Sequence, residues 1–308
     1  MKEGMNRRDF LMRAIQTSAL VSLGKLSFEE RALLASAASE TPEHPEPTSG
    51  IELPAGKIGD VELSRLIIGG NLIAGFAHSR DLIYVSDLFK HYFTDDKVIE
   101  TLQLSEEAGI TTAVLRTDDH TLRILDRYWN QVGGNITWIA QTYPKEDDLT
   151  TNIQQAIDQG AKGAFIMGGI ADQWVEEGQL DLIAKAVDFI RENGLIAGVG
   201  GHALAVPQSV HQAGIDVDFY FKTLNTVDYW SATPQETIDF MATIQKPWIA
   251  YKVLGAGTTH PSEGFKHAFQ NGADFICAGM FDFQVREDAL IARDTLAGEL
   301  ARNRPWFS

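Results

Sequence analysis

Leu180-Asp-Leu-Ile-Ala-Lys-Ala-Val-Asp-Phe-Ile-Arg-Glu-Asn193 runs into Gly194 and then into Leu195-Ile-Ala-Gly-Val-Gly200. In the first piece apolar residues recur at helical spacing, and the glycine behind it fits a left-handed helix stop. The second piece is too short and too uniformly apolar for a helix, which suits a buried parallel strand. The same unit recurs on both sides. Strand-like runs are Leu66–Gly69, Thr112–Leu115, Ile136–Thr142, Gly163–Met167, Ile196–Gly200, Asp218–Lys222, Pro247–Val253 and Phe275–Gly279. Helical stretches separate them at Lys97–Ala108, Thr151–Gln159, Pro234–Ile244 and Pro261–Asn271, with Gly109 and Gly160 as further stops. Eight strands alternating with helices over this length predict an α/β fold, a (β/α)8 TIM barrel. An open doubly wound sheet is the competing architecture. Gly69-Gly70-Asn71 after the first run does not match its dinucleotide fingerprint.

Ahead of the barrel, Met5-Asn6-Arg7-Arg8-Asp9-Phe10-Leu11 precedes a modestly apolar stretch from Ala14 to Leu23. Paired arginines in this setting resemble a twin-arginine export signal, and Ala35-Ser36-Ala37-Ala38 offers a cleavage point. The apolar stretch is too short for a mature membrane span. The expected organisation is a signal over residues 1–38, a tether over 39–50 and the barrel over 51–308. The protein would then be periplasmic or otherwise exported, with the translocation machinery as its partner in transit and no membrane segment in the mature form.

The chain has 308 residues and a formal charge of −16, with 42 acidic against 26 basic side chains. A surface of that sign repels nucleic acid, and no basic patch interrupts it. One cysteine, Cys277, rules out an internal disulfide and a cysteine metal cluster, and its apolar run Phe275-Ile276-Cys277-Ala278 reads as core.

The segment Ala55-Gly-Lys-Ile-Gly-Asp-Val-Glu-Leu-Ser-Arg-Leu-Ile-Ile-Gly-Gly70 resembles the opening of the aldo-keto reductases, as do Glu107-Ala108-Gly109-Ile110, Gly198-Val199-Gly200-Gly201-His202 and Leu224-Asn225. The resemblance implies a hairpin closing the barrel floor, spans most of residues 51–300, and brings an expected NADP-dependent reductase tetrad of Asp, Tyr, Lys and His. The corresponding positions here are Val114, Asp119, Gln141 and Gly168. With the proton donor and its tuning partners replaced, the reductase mechanism is not expected.

Barrel enzymes carry their chemistry just past the C-terminal ends of the strands. Those positions hold Asn71, then His78, Arg80 and Asp81 in a long aromatic-rich loop, and the cluster Arg116-Thr117-Asp118-Asp119-His120. They continue with Tyr143, Lys145, Asp172, His202, Lys222, Asn225, Lys252, His260 and Asp282. Asp118, His120 and His202 form the expected divalent-metal set, although Asp118 or Asp119 equally suits the N-cap of a helix starting near Thr121. His202, Asp119, Lys252 and Lys222 are the expected catalytic groups, the lysines because an amine desolvated inside a barrel becomes nucleophilic. Asn71, His78, Arg80, Arg116, Asn225 and His260 are expected to bind substrate. The aromatics of the 71–94 loop suit a lid that stacks on a sugar ring or packs onto the barrel.

Three functions fit this inventory. The first is an exported enzyme acting on a small polar, sugar-derived molecule by metal-assisted or acid/base lyase, isomerase or hydrolase chemistry. The second is an NAD(P)-dependent oxidoreductase with tightly held cofactor, its phosphates near Gly255-Ala256-Gly257 and Gly279. The third is a non-catalytic barrel that only holds a ligand.

Overall fold

In the computed structural model, which describes residues 50–76 and 82–308, eight parallel strands close into a barrel. A two-stranded antiparallel hairpin precedes them, β1 (Ala55–Ile58) and β2 (Val61–Ser64). The barrel strands in order are β3 (Leu66–Gly69), β4 (Thr112–Arg116), β5 (Thr137–Thr142), β6 (Gly163–Ile166), β7 (Ile196–Gly201), β8 (Phe219–Thr223), β9 (Trp248–Tyr251) and β10 (Phe275–Ala278), with β10 pairing back onto β3. Ten α-helices accompany them among the described residues: α1 (Val85–Tyr92), α2 (Asp95–Glu107), α3 (Asp119–Arg127), α4 (Thr151–Asp158), α5 (Gly168–Glu176), α6 (Leu180–Glu192), α7 (Ala205–Gln212), α8 (Pro234–Thr243), α9 (Pro261–Gln270) and α10 (Asp282–Ala297). The expected signal and tether, along with His78 and Arg80, lie outside the described residues. Among those described, no helix is long and apolar enough to cross a membrane.

Strand alternation splits the core in two. Leu66, Ile68, Ala113, Leu115, Trp138, Ala164, Val199 and Tyr220 face the helices. Ile67, Val114, Ile139, Phe165, Phe219, Phe221, Ile249, Phe275 and Cys277 fill the lumen, where Ile58 and Leu63 of the hairpin join them from below. Burying side chains of this size contributes about 1.5–3 kcal/mol each, so the barrel is a packed core and not a pore. Burial raises the Cys277 thiol to about 12, as befits a core residue.

Most expected strand and helix ends fall within a residue or two of the observed ones, and the departures have local causes. β9 stops at Tyr251, short of the expected Val253, because Lys252 turns to a left-handed φ of 57°. β6 stops at Ile166 because Met167 caps α5, its sulfur accepting the Gly169 N–H at 2.9 Å. Gly109, expected to end α2, takes φ +81°, and a Cβ there would meet the Ile51 carbonyl oxygen at 2.7 Å. The 71–94 loop is not loop throughout. It contains α1, and Phe89, Tyr92 and Phe93 pack on Phe281 with ring centroids 5.4 Å apart in each case.

The chain's last residues seal the barrel floor. Fully buried Asp274 accepts the N–H groups of Trp248 and Phe307 at 2.9 Å each, and Arg304 lies 3.3 Å and Arg302 3.6 Å from its carboxylate. The guanidinium groups of Arg65 and Arg302 face the Trp306 ring at 4.2 and 3.4 Å.

Candidate functional site at the barrel mouth

Glycines on β7 leave room in the upper lumen. Gly198 stands in register with Phe165 and Phe219, and any Cβ on it would overlap the Phe219 ring at 2.4 Å. Phe219 takes that space, and next to it three rings stack, Phe165 on Phe221 at 4.4 Å and Phe221 on Tyr251 at 4.3 Å, inclined by 29° and 24°. Tyr251 is the uppermost ring and therefore the base of whatever binds above. Its hydroxyl is buried without a hydrogen-bond partner, and burial, helped by the charge of Asp172, keeps it protonated far beyond neutral pH.

His202, one residue beyond β7, leans over this base with its ring centroid 5.5 Å from that of Tyr251. Its Nδ1 lies 2.7 Å from Asp172 of α5, whose carboxylate also accepts the backbone N–H groups of His202 and Ala203 at 3.0 Å. A carboxylate only accepts, so it selects the tautomer with the proton on Nδ1 and leaves Nε2 as a base. Among the described residues Nε2 has no partner, and the side chain is 20% exposed. Gly168 makes the approach possible. A Cβ there would lie 2.8 Å from the Tyr251 hydroxyl and 3.2 Å from His202 Cε1, so the position matched to the reductase histidine is filled by these two side chains.

The two expected catalytic lysines have different fates. Lys222 shares the parity of Tyr220, points away from the lumen and is 1% exposed. Its Nζ donates to the His202 carbonyl at 2.8 Å, to Thr223 Oγ1 at 2.9 Å and to the Thr223 carbonyl at 3.2 Å. Burial lowers this amine to about 8, but all three ammonium donors are engaged, so Lys222 holds the His202 loop in place as a positioning residue. Lys252 lies beyond β9 with its Nζ 5.3, 5.9 and 6.0 Å from the rings of Tyr229, Tyr251 and Trp230. Desolvation lowers its amine to about 8. The rings stand at the outer limit of useful cation–π distance, so desolvation is the stronger influence on the charge.

The loop after β8 builds the rest of the wall. Asn225, expected to bind substrate, is instead consumed in shaping this wall: it donates to the Tyr229 and Lys252 carbonyls at 2.8 and 3.2 Å and accepts from the N–H groups of Val227 and Tyr229. Trp230 is left 59% exposed, 5.2 Å from the His202 ring. Asp228, Trp230, Thr233, Lys252 and Ala256 all have φ between 51° and 59°, so every positive-φ non-glycine described falls in this loop or the one after β9. Backbone strain gathered this way characterises sites held for function.

The Arg116–His120 cluster forms a separate pocket. Asp118 N-caps α3 through the Thr121 N–H at 2.9 Å and pairs with Arg116 at 3.1 Å, while His120 Nε2 lies 3.4 Å from Asp95. Asp118, His120 and Asp95 line an open cavity of about 370 Å³ that His202 does not border. The expected metal set is therefore not assembled. Among the described residues no three His, Cys, Asp or Glu side chains are arranged around one ion. Arg116 lies between the Phe76 and Tyr143 rings at 4.2 and 4.4 Å. Asp119 is exposed in the first turn of α3, and Asn71 is exposed beyond β3, so neither joins the His202 group. His260, expected at the substrate, caps α9 by accepting the Ser262 N–H at 3.3 Å.

At the expected nucleotide-phosphate region both helix starts already carry acceptors. His260 occupies that of α9, and Asp282 begins α10, where it binds Tyr92 and, at 3.0 Å, Lys97. An anion arriving at α10 would meet a carboxylate in place.

Asp172, Tyr251 and Trp230 complete the site around His202 and Lys252. Asp172 stands in the sequence as a strand-end acid without an obvious partner, and Tyr251 is masked by the apolar run it ends. For Trp230 the only signal is an aromatic pair, Tyr229-Trp230, in a loop.

No protein-family model matches this sequence, and no curated protein matches it either. The fold does have solved counterparts. Two structures of a "putative aldo-keto reductase" from Pseudomonas aeruginosa superpose with TM-scores of 0.60 at 13% and 14% identity, spanning 82% of this chain and 97% and 100% of theirs. At that identity the likeness is one of barrel architecture.

Proposed function

We propose that this chain is an exported barrel enzyme that moves protons on a small polar carbonyl or hydroxy compound without net redox change, as an isomerase or lyase does. The observation that carries the reading is the His202–Asp172 pair, 2.7 Å apart, standing over the same Tyr251 and Trp230 rings that wall Lys252. In this reading Nε2 of His202 removes a proton next to a carbonyl and returns it to the neighbouring atom, as a base held in one tautomer can do. Trp230 offers a flat apolar face on which a sugar-like ring can stack. Acid/base chemistry is favoured over the metal-assisted kind because the candidate ligands are tied up in a cap and in ion pairs. It is favoured over nicotinamide chemistry because both helix starts that would meet phosphate already hold their own acceptors. Pure binding would not call for a base of fixed tautomer and a desolvated amine on the same two rings.

The test is proton exchange in D2O. Short hydroxyaldehydes and ketoses are incubated with the protein, and loss of the α-proton signal is followed by NMR. Exchange that His202→Asn abolishes supports the reading, whereas a full panel showing none in the wild type removes it. Export is tested separately by replacing Arg7 and Arg8 with lysine, which should hold the protein in the cytoplasm.

A further inference from the structure

We infer that Lys252 is a carbonyl-capturing amine, forming a covalent iminium with a small aldehyde or ketone above the Tyr251 ring. The inference rests on the proposed acid/base reading and adds a covalent step to it. Three observations support it. Lys252 Nζ has neither a hydrogen bond nor a carboxylate partner among the described residues and stands 5.3 to 6.0 Å from three aromatic rings, and desolvation brings it to about 8, so that near pH 8 about half of the amine is neutral. Its backbone takes a φ of 57° and is held by Asn225 Nδ2 and the Gly255 N–H on its carbonyl at 3.2 and 2.9 Å, so the side chain springs from a fixed point on the wall. Lys222, one strand away, is the internal contrast, since its three donors are all engaged.

The step balances without any further reactant. The lone pair of Nζ adds to the carbonyl carbon while the C=O pair moves to oxygen, which takes a proton. That proton comes from the newly cationic nitrogen, and the carbinolamine oxygen then leaves as water with a second proton, which His202 Nε2 takes up from solvent and passes on, so that a C=N⁺ linkage remains. That cation is an electron sink for loss of an α-proton or cleavage of the next carbon–carbon bond, and hydrolysis returns the amine. Tyr251, Tyr229 and Trp230 wall the amine and His202 abuts two of those rings. Desolvation accounts for its lowered basicity without help from any neighbouring charge.

The experiment is borohydride trapping with glycolaldehyde and with dihydroxyacetone, followed by intact mass and peptide mapping. The expected result is one reduced adduct per chain, on Lys252, lost in Lys252→Met and retained in Lys145→Met. Labelling spread over the surface lysines and unchanged in Lys252→Met overturns the inference, as does no adduct at all. If Lys252→Met does not fold, competitive acetylation of the native wild type serves instead. Lys252 should then react at least tenfold faster than the exposed Lys145 at pH 8, and equal or slower reaction overturns it. α-Proton exchange without an adduct would sink the covalent step alone, whereas an adduct without exchange would sink the acid/base reading.

Discussion

His202 Nδ1 and Asp172 Oδ2 are 2.7 Å apart, and the same carboxylate also gathers the backbone N–H groups of His202 and Ala203. One side chain on α5 thus fixes both the loop after β7 and the tautomer of the imidazole on it.

Asp172→Asn should separate those two roles. The amide keeps one acceptor oxygen but turns a donor toward the ring, which favours the tautomer protonated on Nε2 and removes the base. The α-proton exchange rate should fall by about 10²–10⁴ while the melting temperature moves only modestly. Nitrogen-15 chemical shifts of His202 check the tautomer directly. An unchanged rate with a flipped tautomer would count against His202 as the base.

Lys252 also leaves a signature in stability. Its pKa falls from 10.5 to about 8 on folding, so between those values the unfolded chain binds more protons and stability rises with pH. Cys277, raised to about 12, acts in the opposite sense from about pH 9 upward, so the comparison must be with a variant. Lys252→Met should be more stable than the wild type at pH 7.5 by about 1–3 kcal/mol, with the gap closing by pH 10.5. Urea titrations at the two pH values measure it, and a gap that widens with pH refutes the assignment.

Asp288 of α10 offers a cleaner case. Burial, with Glu287 beside it, raises its carboxyl to about 7, so stability is lost as pH rises from about 4 to about 7. Asp288→Asn removes that cost. It should gain up to about 4 kcal/mol above pH 7 and nothing at pH 4. A gain independent of pH would mean that packing, not charge, is responsible.

At the barrel floor burial also raises the Asp274 carboxyl, but the sign of the substitution reverses because two guanidinium groups depend on its charge. Asp274→Asn would leave the 1%-exposed Arg304 side chain and its neighbour Arg302 without their shared counter-charge. Removing one partner of a buried ion pair costs about 3–5 kcal/mol. Denaturant unfolding should show that loss, together with earlier proteolysis of the segment that carries Trp306. An unchanged midpoint would show that the arginines find other acceptors.

The barrel was legible because its strands are buried on both faces and read as apolar runs wherever they occur. Helices that break propensity rules were not: α5 begins on Gly168-Gly169, and α7 carries Pro207 in its first turn, so both look like loop in the sequence. His202 and Lys252 were visible as polar groups at strand ends. Lys222 was visible for the same reason but does another job, because its direction depends on strand parity, and parity is set by which of Tyr220 and Phe221 fills the lumen. Asp118 illustrates a different limit. Capping and metal binding use the same carboxylate at the same place in the sequence, and only the geometry shows that the cap and Arg116 hold it.

The stack of Phe165, Phe221 and Tyr251, with Ile58 and Leu63 of the hairpin beneath, closes the lumen below the site. On the proposed reading, substrate would consequently have to approach His202 and Lys252 from the side away from that stack. Water and product would then share the approach, so whatever fills it would also decide when the site is dry. A bulky product that lingers beside Trp230 would shield a covalent intermediate from hydrolysis and, by the same act, bar the next substrate. Turnover would then be governed by departure, and small changes at this one aromatic rim would be felt in rate before they were felt in affinity.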